Sequence, residues 1–175
     1  MNPTSISMRL LVSSLLLLAT AAFLPKPSVS TPVGGVEYAV IVNQKNNLDS
    51  VSVDDLKKYM KLERRYWPDE HRVTLFQRSA KTDLQKFLLD KVYGQSEKSL
   101  RKHFVSQMNR GRIGALPSVV KKSGTVVRLV SKKPGAIAVV LASEVTDQVK
   151  VLAIDGKKPG EEGYFLQSLS NKTLQ

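Results

Sequence analysis

The sequence predicts an α/β domain with a mainly parallel sheet flanked by helices, and three observations carry that prediction. Short β-branched runs at 38–42, 73–76, 136–140 and 149–154 alternate with stretches whose apolar residues recur at helical spacing. The run at 73–76 alternates only weakly between apolar and polar, as strands buried on both faces do. No internal repeat or low-complexity tract divides the chain, so one compact domain of 31–175 is expected after the N-terminal segment.

The elements run in order from the first of these. Tyr38-Ala-Val-Ile-Val42 is the first strand, and 43–50 reads as a polar loop. Ser52 with Asp55 three residues later starts a helix in capping-box fashion, with Leu56, Tyr59 and Met60 on one face and an end expected near Arg64-Arg65. Trp67-Pro68-Asp69-Glu70 is a turn with an aromatic anchor, and Val73-Thr-Leu-Phe76 is the second strand. From Thr82 to Tyr93, Leu84, Phe87, Leu88 and Val92 lie at helical spacing, and Gly94 is a suitable stop. A further helix starts at Ser96, with Leu100, Phe104, Val105 and Met108 inward, and ends in Arg110-Gly111-Arg112. A loop over 113–118 precedes a short helix at 124–131, closed by Lys133-Pro134-Gly135. Strands at 136–140 and 149–154 come next, then the Asp155-Gly156 turn and a polar tail whose one apolar cluster is Tyr164-Phe165-Leu166.

Residues 1–30 read as a cleavable signal peptide. Arg9 gives a positive start, 10–24 is an apolar run shorter than the ~20 residues of a membrane span, and Pro25 and Pro27 end it. Ser28-Val29-Ser30 supplies small residues for cleavage after Ser30, and Thr20-Ala21-Ala22 offers an earlier site. Export to the periplasm is expected, with no stable membrane anchor after cleavage. The chain has no cysteine, hence no lipid-attachment thiol and no disulfide.

The formal net charge is +12. Arg9 and Lys26 fall in residues 1–30, so 25 basic and 15 acidic residues remain beyond them, a net +10. That excess favours anions of any kind, and the export signal argues against nucleic acid. His71 and His103 lie in different elements without cysteine or clustered carboxylates, so neither a metal site nor a nucleophile-base pair has its parts. The expectation is a protein that is not an enzyme and carries no cofactor.

Gln77-Arg78-Ser79-Ala80-Lys81-Thr82-Asp83 is the segment with the most chemistry. It joins the end of a strand to the start of a helix, where open α/β sheets bind ligands. Arg78 can grip an oxyanion bidentately, Ser79 and Thr82 can donate hydroxyls, and Lys81 adds charge. The bland alternative is that Ser79 or Thr82 caps the helix and Arg78 is solvated. Arg64-Arg65, Arg110-Gly-Arg112, Lys121-Lys122 and Lys132-Lys133 sit at helix ends or loops, as solvated ends or jointly as a positive cleft.

With these motifs the chain resembles the phosphate-type periplasmic substrate-binding protein family, the type 2 binding-protein fold. Residues 53–69, ending in Tyr66-Trp67-Pro68-Asp69, resemble its helix and W-P-D segment; 73–82 resemble its V-x-x-x-R-S/A-D-G-S-G-T turn. Lys133-Pro-Gly-Ala-Ile-Ala138 resembles its T-P-G-A-I-G-Y-V strand entry, and Val151 to Tyr164 its V-x-I-D-G return segment. The resemblance implies ligand contacts at Arg78, Ser79 and Thr82. Where the family has S-G-T, this chain has Ala80-Lys81-Thr82. The family's first lobe segment has no counterpart here, so one complete lobe plus a partial second is expected. The function that the resemblance implies is that of a solute-binding protein for phosphate or a related oxyanion, serving an ABC permease. The alternative is a sensor or interaction module whose basic surface docks an envelope partner or an anionic polymer.

Overall fold

The computed structural model of the protein describes residues 35–168, so the expected signal peptide lies outside the described residues. Seven strands form one sheet: β1 (Val36–Asn43), β2 (Ser50–Val51), β3 (Thr74–Arg78), β4 (Ser118–Val120), β5 (Ala136–Leu141), β6 (Val149–Ile154) and β7 (Gln167–Ser168). Their order is β2-β6-β1-β5-β3-β4, with β7 paired to the start of β1. β5, β3 and β4 run parallel, as do β2 and β6, while β1 runs antiparallel to both β5 and β6. One reversed strand thus sits at the centre of an otherwise parallel sheet.

Alternation along β1 gives the sheet two buried faces. Tyr38, Val40 and Val42 point to one core with α1 (Val53–Met60), α2 (Asp83–Leu88) and α3 (Glu97–Asn109), whose buried residues include Leu56, Leu84 and Leu100. Ala39 and Ile41 point to the other, which α4 (Ser123–Lys132) covers with Val126, Val127 and Val130. Four of the strands are buried on both sides, which is why their sequences read as continuous apolar runs rather than as alternations.

Caps and turns fix the helices. Ser52 Oγ accepts from the Asp55 amide, as its spacing predicts. α1 ends at Met60 rather than near Arg64, because Leu62 turns into the left-handed region (φ 55°) and the amides of Glu63 and Arg64 both donate back to Lys58 O. The stretch expected as one helix to Tyr93 is α2 continued by a π turn over Leu89–Tyr93, and left-handed Gly94 stops it. Buried Asn43 donates from Nδ2 to Val130 O and Ser131 O, tying the end of β1 to the last turn of α4.

Two short strands begin at the ends of the stretches expected as loop, 43–50 and 113–118. Ser50–Val51 is held by parallel pairing to β6, and Ser118–Val120 by parallel pairing to β3. Both are brief edges whose pairing comes from the neighbour and not from their own periodicity.

Candidate oxyanion site

β3 ends at Arg78, and a cavity of about 290 Å³ opens at that end of the strand. Gln77 and Arg78 form one wall, and Gln85 of α2 forms a second. Leu100 and Phe104 of α3 make the floor; Leu116, Pro117 and Val119, on the approach to β4, make the rim. Exposed Arg101 and Glu97 also border it, one cation and one carboxylate.

Two of its lining residues carry buried polar atoms that the protein leaves unsatisfied. Arg78 Nη1 is buried and has no hydrogen-bond partner among the described residues, and no carboxylate there pairs with this guanidinium. Gln85 is 4% exposed, and its Oε1 is likewise buried without a donor. A buried polar group without a partner costs about 1–3 kcal/mol, more if charged, so two of them bordering one cavity point to an external partner.

Gln77 is held differently. Its Nε2 donates to Tyr93 Oη at 2.9 Å, across the end of the π turn. Burial pushes the Tyr93 phenol well above its ordinary value, and the bond from Gln77 offsets only part of this. The folded value therefore lies above the unfolded one of about 10. Tyr93 contributes stability that is fully present below pH ~10 and is lost as pH climbs toward the raised value, at up to ~1.4 kcal/mol per pH unit. Urea midpoints measured from pH 8 to 11 should fall steeply above 10, and less steeply in Tyr93→Phe. Equal slopes in the two proteins would show that Tyr93 does not control the loss.

The four residues singled out in the sequence separate here. Arg78 lines the cavity. Thr82 Oγ1 donates to Ser79 O at 2.8 Å and accepts from the Gln85 amide at 3.3 Å, so its hydroxyl is engaged as the α2 cap. Ser79 is half-buried in the turn, and Lys81 is exposed outside the cavity lining. Gln85 was not among the predicted contacts. Its signal was the capping-box pattern Thr82-Asp-Leu-Gln85, in which the glutamine side chain normally returns to the cap amide. Here the Thr82 amide donates to Ser79 O instead, which leaves the Gln85 side chain to the cavity.

The basic pairs do not converge on one cleft. Lys98, Arg101, Lys102 and Arg110 line the outward side of α3. Arg65, Arg72 and Lys133 border a depression at the opposite end of β3. Arg64 is engaged by Asp55 at 3.1 Å and lies over the Tyr59 ring. Of the histidines, exposed His71 meets Asp69, and His103 Nε2 lies 2.9 Å from Lys61 O. No cluster of three metal-ligating side chains occurs among the described residues, nor any helix long and apolar enough to cross a membrane.

No protein-family model matches the chain, and no curated protein matches its sequence. Solved structures do match. An ABC-type phosphate transport receptor from Vibrio cholerae superposes with a TM-score of 0.62 at 14% identity, over 77% of this chain and 54% of that one. PstS from Borrelia burgdorferi gives 0.61 at 12% identity, over 77% and 55%. A putative phosphate ABC transporter substrate-binding protein with bound phosphate, from Clostridium perfringens, gives 0.58 at 16% identity, over 71% and 47%. The chain has the phosphate-type periplasmic binding protein fold and spans about half the length of these structures.

Proposed function

We propose that the protein is a periplasmic solute-binding protein that recognises phosphate or a related oxyanion through Arg78, without catalysing a reaction. The observation that carries this reading is the buried, unpartnered Nη1 of Arg78, a residue that lines a cavity at the carboxyl end of β3. A guanidinium offers a fork of donors that matches two oxygens of a tetrahedral anion, and in a partly desolvated site such bonds are about twice as strong as neutral ones. Gln85 supplies an acceptor for a protonated ligand oxygen. Ser79 and Lys81 lie in the turn outside the cavity lining and contribute to this reading only through the turn's polar and cationic character, while Thr82 acts by holding the turn. The fold relatives are named as phosphate receptors of ABC transporters, and an ABC permease is the partner this reading implies.

Titration calorimetry with inorganic phosphate tests it. Binding at millimolar concentration or tighter is expected, and Arg78→Ala should weaken it by ~10- to 100-fold, the worth of a charge-assisted bond. Absence of heat at millimolar phosphate, or an Arg78→Ala protein indistinguishable from wild type, would overturn the reading.

A second reading is favoured by one observation: Lys98, Arg101, Lys102 and Arg110 lie along the outward side of α3, and none is in an ion pair among the described residues. Such a stripe suits docking of an acidic envelope protein or anionic polymer. The same Arg78→Ala variant separates the two, since a partner held by α3 is captured equally well by both proteins.

A further inference from the structure

The cavity at Arg78 is larger and greasier than a bare oxyanion needs. Its volume of about 290 Å³ corresponds to roughly ten waters at ~30 Å³ each, whereas a tetrahedral anion brings four oxygens. Its floor is apolar, with Leu100 and Phe104 both buried in the core. Its rim carries two of the few large apolar side chains exposed anywhere among the described residues, Leu116 at 40% and Val119 at 63%. Scattered exposed apolar residues require no explanation, but two beside one cavity whose floor is also apolar form a continuous surface for a ligand. Two residues of the same lining, Arg78 and Gln85, carry a cationic nitrogen and an acceptor oxygen, Nη1 and Oε1, that are both buried and both unpartnered. An inorganic anion would satisfy these two polar atoms and leave the apolar wall wet.

Resting on the oxyanion reading of the same site, we propose that the ligand is an organic phosphate, a phosphomonoester or phosphonate with a small apolar substituent. The phosphoryl oxygens take the Arg78 guanidinium, a protonated oxygen donates to Gln85 Oε1, and the substituent covers Leu100, Phe104, Leu116 and Val119. Glu97 and Arg101 border the mouth with opposite charges, so the apolar wall sets the character of the substituent, and burying a charge against it would be costly.

Calorimetry on the protein comprising residues 31–175 compares inorganic phosphate with phenyl phosphate. Phenyl phosphate is expected to bind at least ~10-fold more tightly, because burying apolar surface adds to the shared headgroup contacts. Val119→Ser and Leu116→Ser, at exposed positions that the fold tolerates, should each weaken phenyl phosphate several-fold and leave inorganic phosphate unchanged. Arg78→Ala should weaken both ligands. Equal affinities, or tighter inorganic phosphate, would overturn the organic-phosphate assignment while leaving the oxyanion reading intact. Phenyl phosphate binding that is insensitive to Arg78→Ala would overturn it too, and binding of neither ligand would overturn both readings.

Discussion

Gly135→Ala should be among the most damaging single-methyl changes in this protein, at a cost of about 4 kcal/mol and a fall in Tm of roughly 10–20 °C. A Cβ on Gly135 would lie 2.0 Å from Arg72 O and 2.9 Å from Arg72 C. Both are backbone atoms, so no rotamer relieves the clash; the chain entering β3 must move. That chain is fixed where it is by the Thr74 amide donating to Gly135 O at 2.8 Å, the bond that opens the parallel pairing of β3 with β5. Displacing β3 at Thr74 also disturbs its other end, where Arg78 stands. Gly124 is the matched control. It lies inside α4 with nothing within 4 Å of an added Cβ, so Gly124→Ala should stabilise by ~0.5–1 kcal/mol through helix propensity alone. Thermal unfolding followed by circular dichroism measures both. A Gly135→Ala protein within ~1 kcal/mol of wild type would show that β3 and β5 can slide apart without loss.

The contrast between these glycines shows what the sequence could and could not convey. Lys133-Pro134-Gly135 was legible as punctuation before a strand, and the family resemblance marked it as a motif, yet the need for glycine arises from a partner 63 positions away in the chain, at Arg72. Long apolar elements were legible because burial leaves a mark in the sequence: continuous apolar runs in β1, β5 and β6, buried on both faces, and helical spacing in α3 and α4, buried on one. The caps at Ser52 and Thr82 and the stop at Gly94 were legible because they are local chemistry. The short strands β2, β4 and β7 were not, since two or three residues carry no period and each is defined by the strand it joins. The same reasoning applies to the site. Arg78 stood out by its position at a strand end, whereas Gln85 and Val119 carried no local signal distinguishing them as site residues and Leu116 fell in the stretch expected as loop. Only the packing of α3 beneath them turns these residues into one cavity.

Trp67→Ala should cost about 3–5 kcal/mol, the range for emptying a large aromatic site in a core. Trp67 is 2% exposed, stacks on Tyr59 with ring centroids 4.2 Å apart, and donates from Nε1 to Gly135 O at 3.1 Å. It thereby pins the segment between α1 and β3 to the entrance of β5, the same junction that Gly135 keeps tight. The stack and the hydrogen bond can be separated. Trp67→Phe keeps an aromatic ring but loses the donor, and because Gly135 O still accepts from Thr74, the carbonyl is not orphaned and only ~1–2 kcal/mol should be lost. The stack itself is worth ~0.5–1.5 kcal/mol beyond area, which a double-mutant cycle of Tyr59→Leu with Trp67→Leu measures as non-additivity. Trp67 is the single tryptophan of the chain, so these variants must be followed by circular dichroism, while wild-type fluorescence reports on this junction alone. A Trp67→Ala loss below ~1 kcal/mol in urea would mean that the turn after α1 is not anchored by its aromatic residue. A full-sized loss with additive Tyr59 and Trp67 effects would instead assign the anchoring to cavity filling and the Gly135 bond. Either way the urea series ranks the three contacts that hold β3, and therefore Arg78, in position.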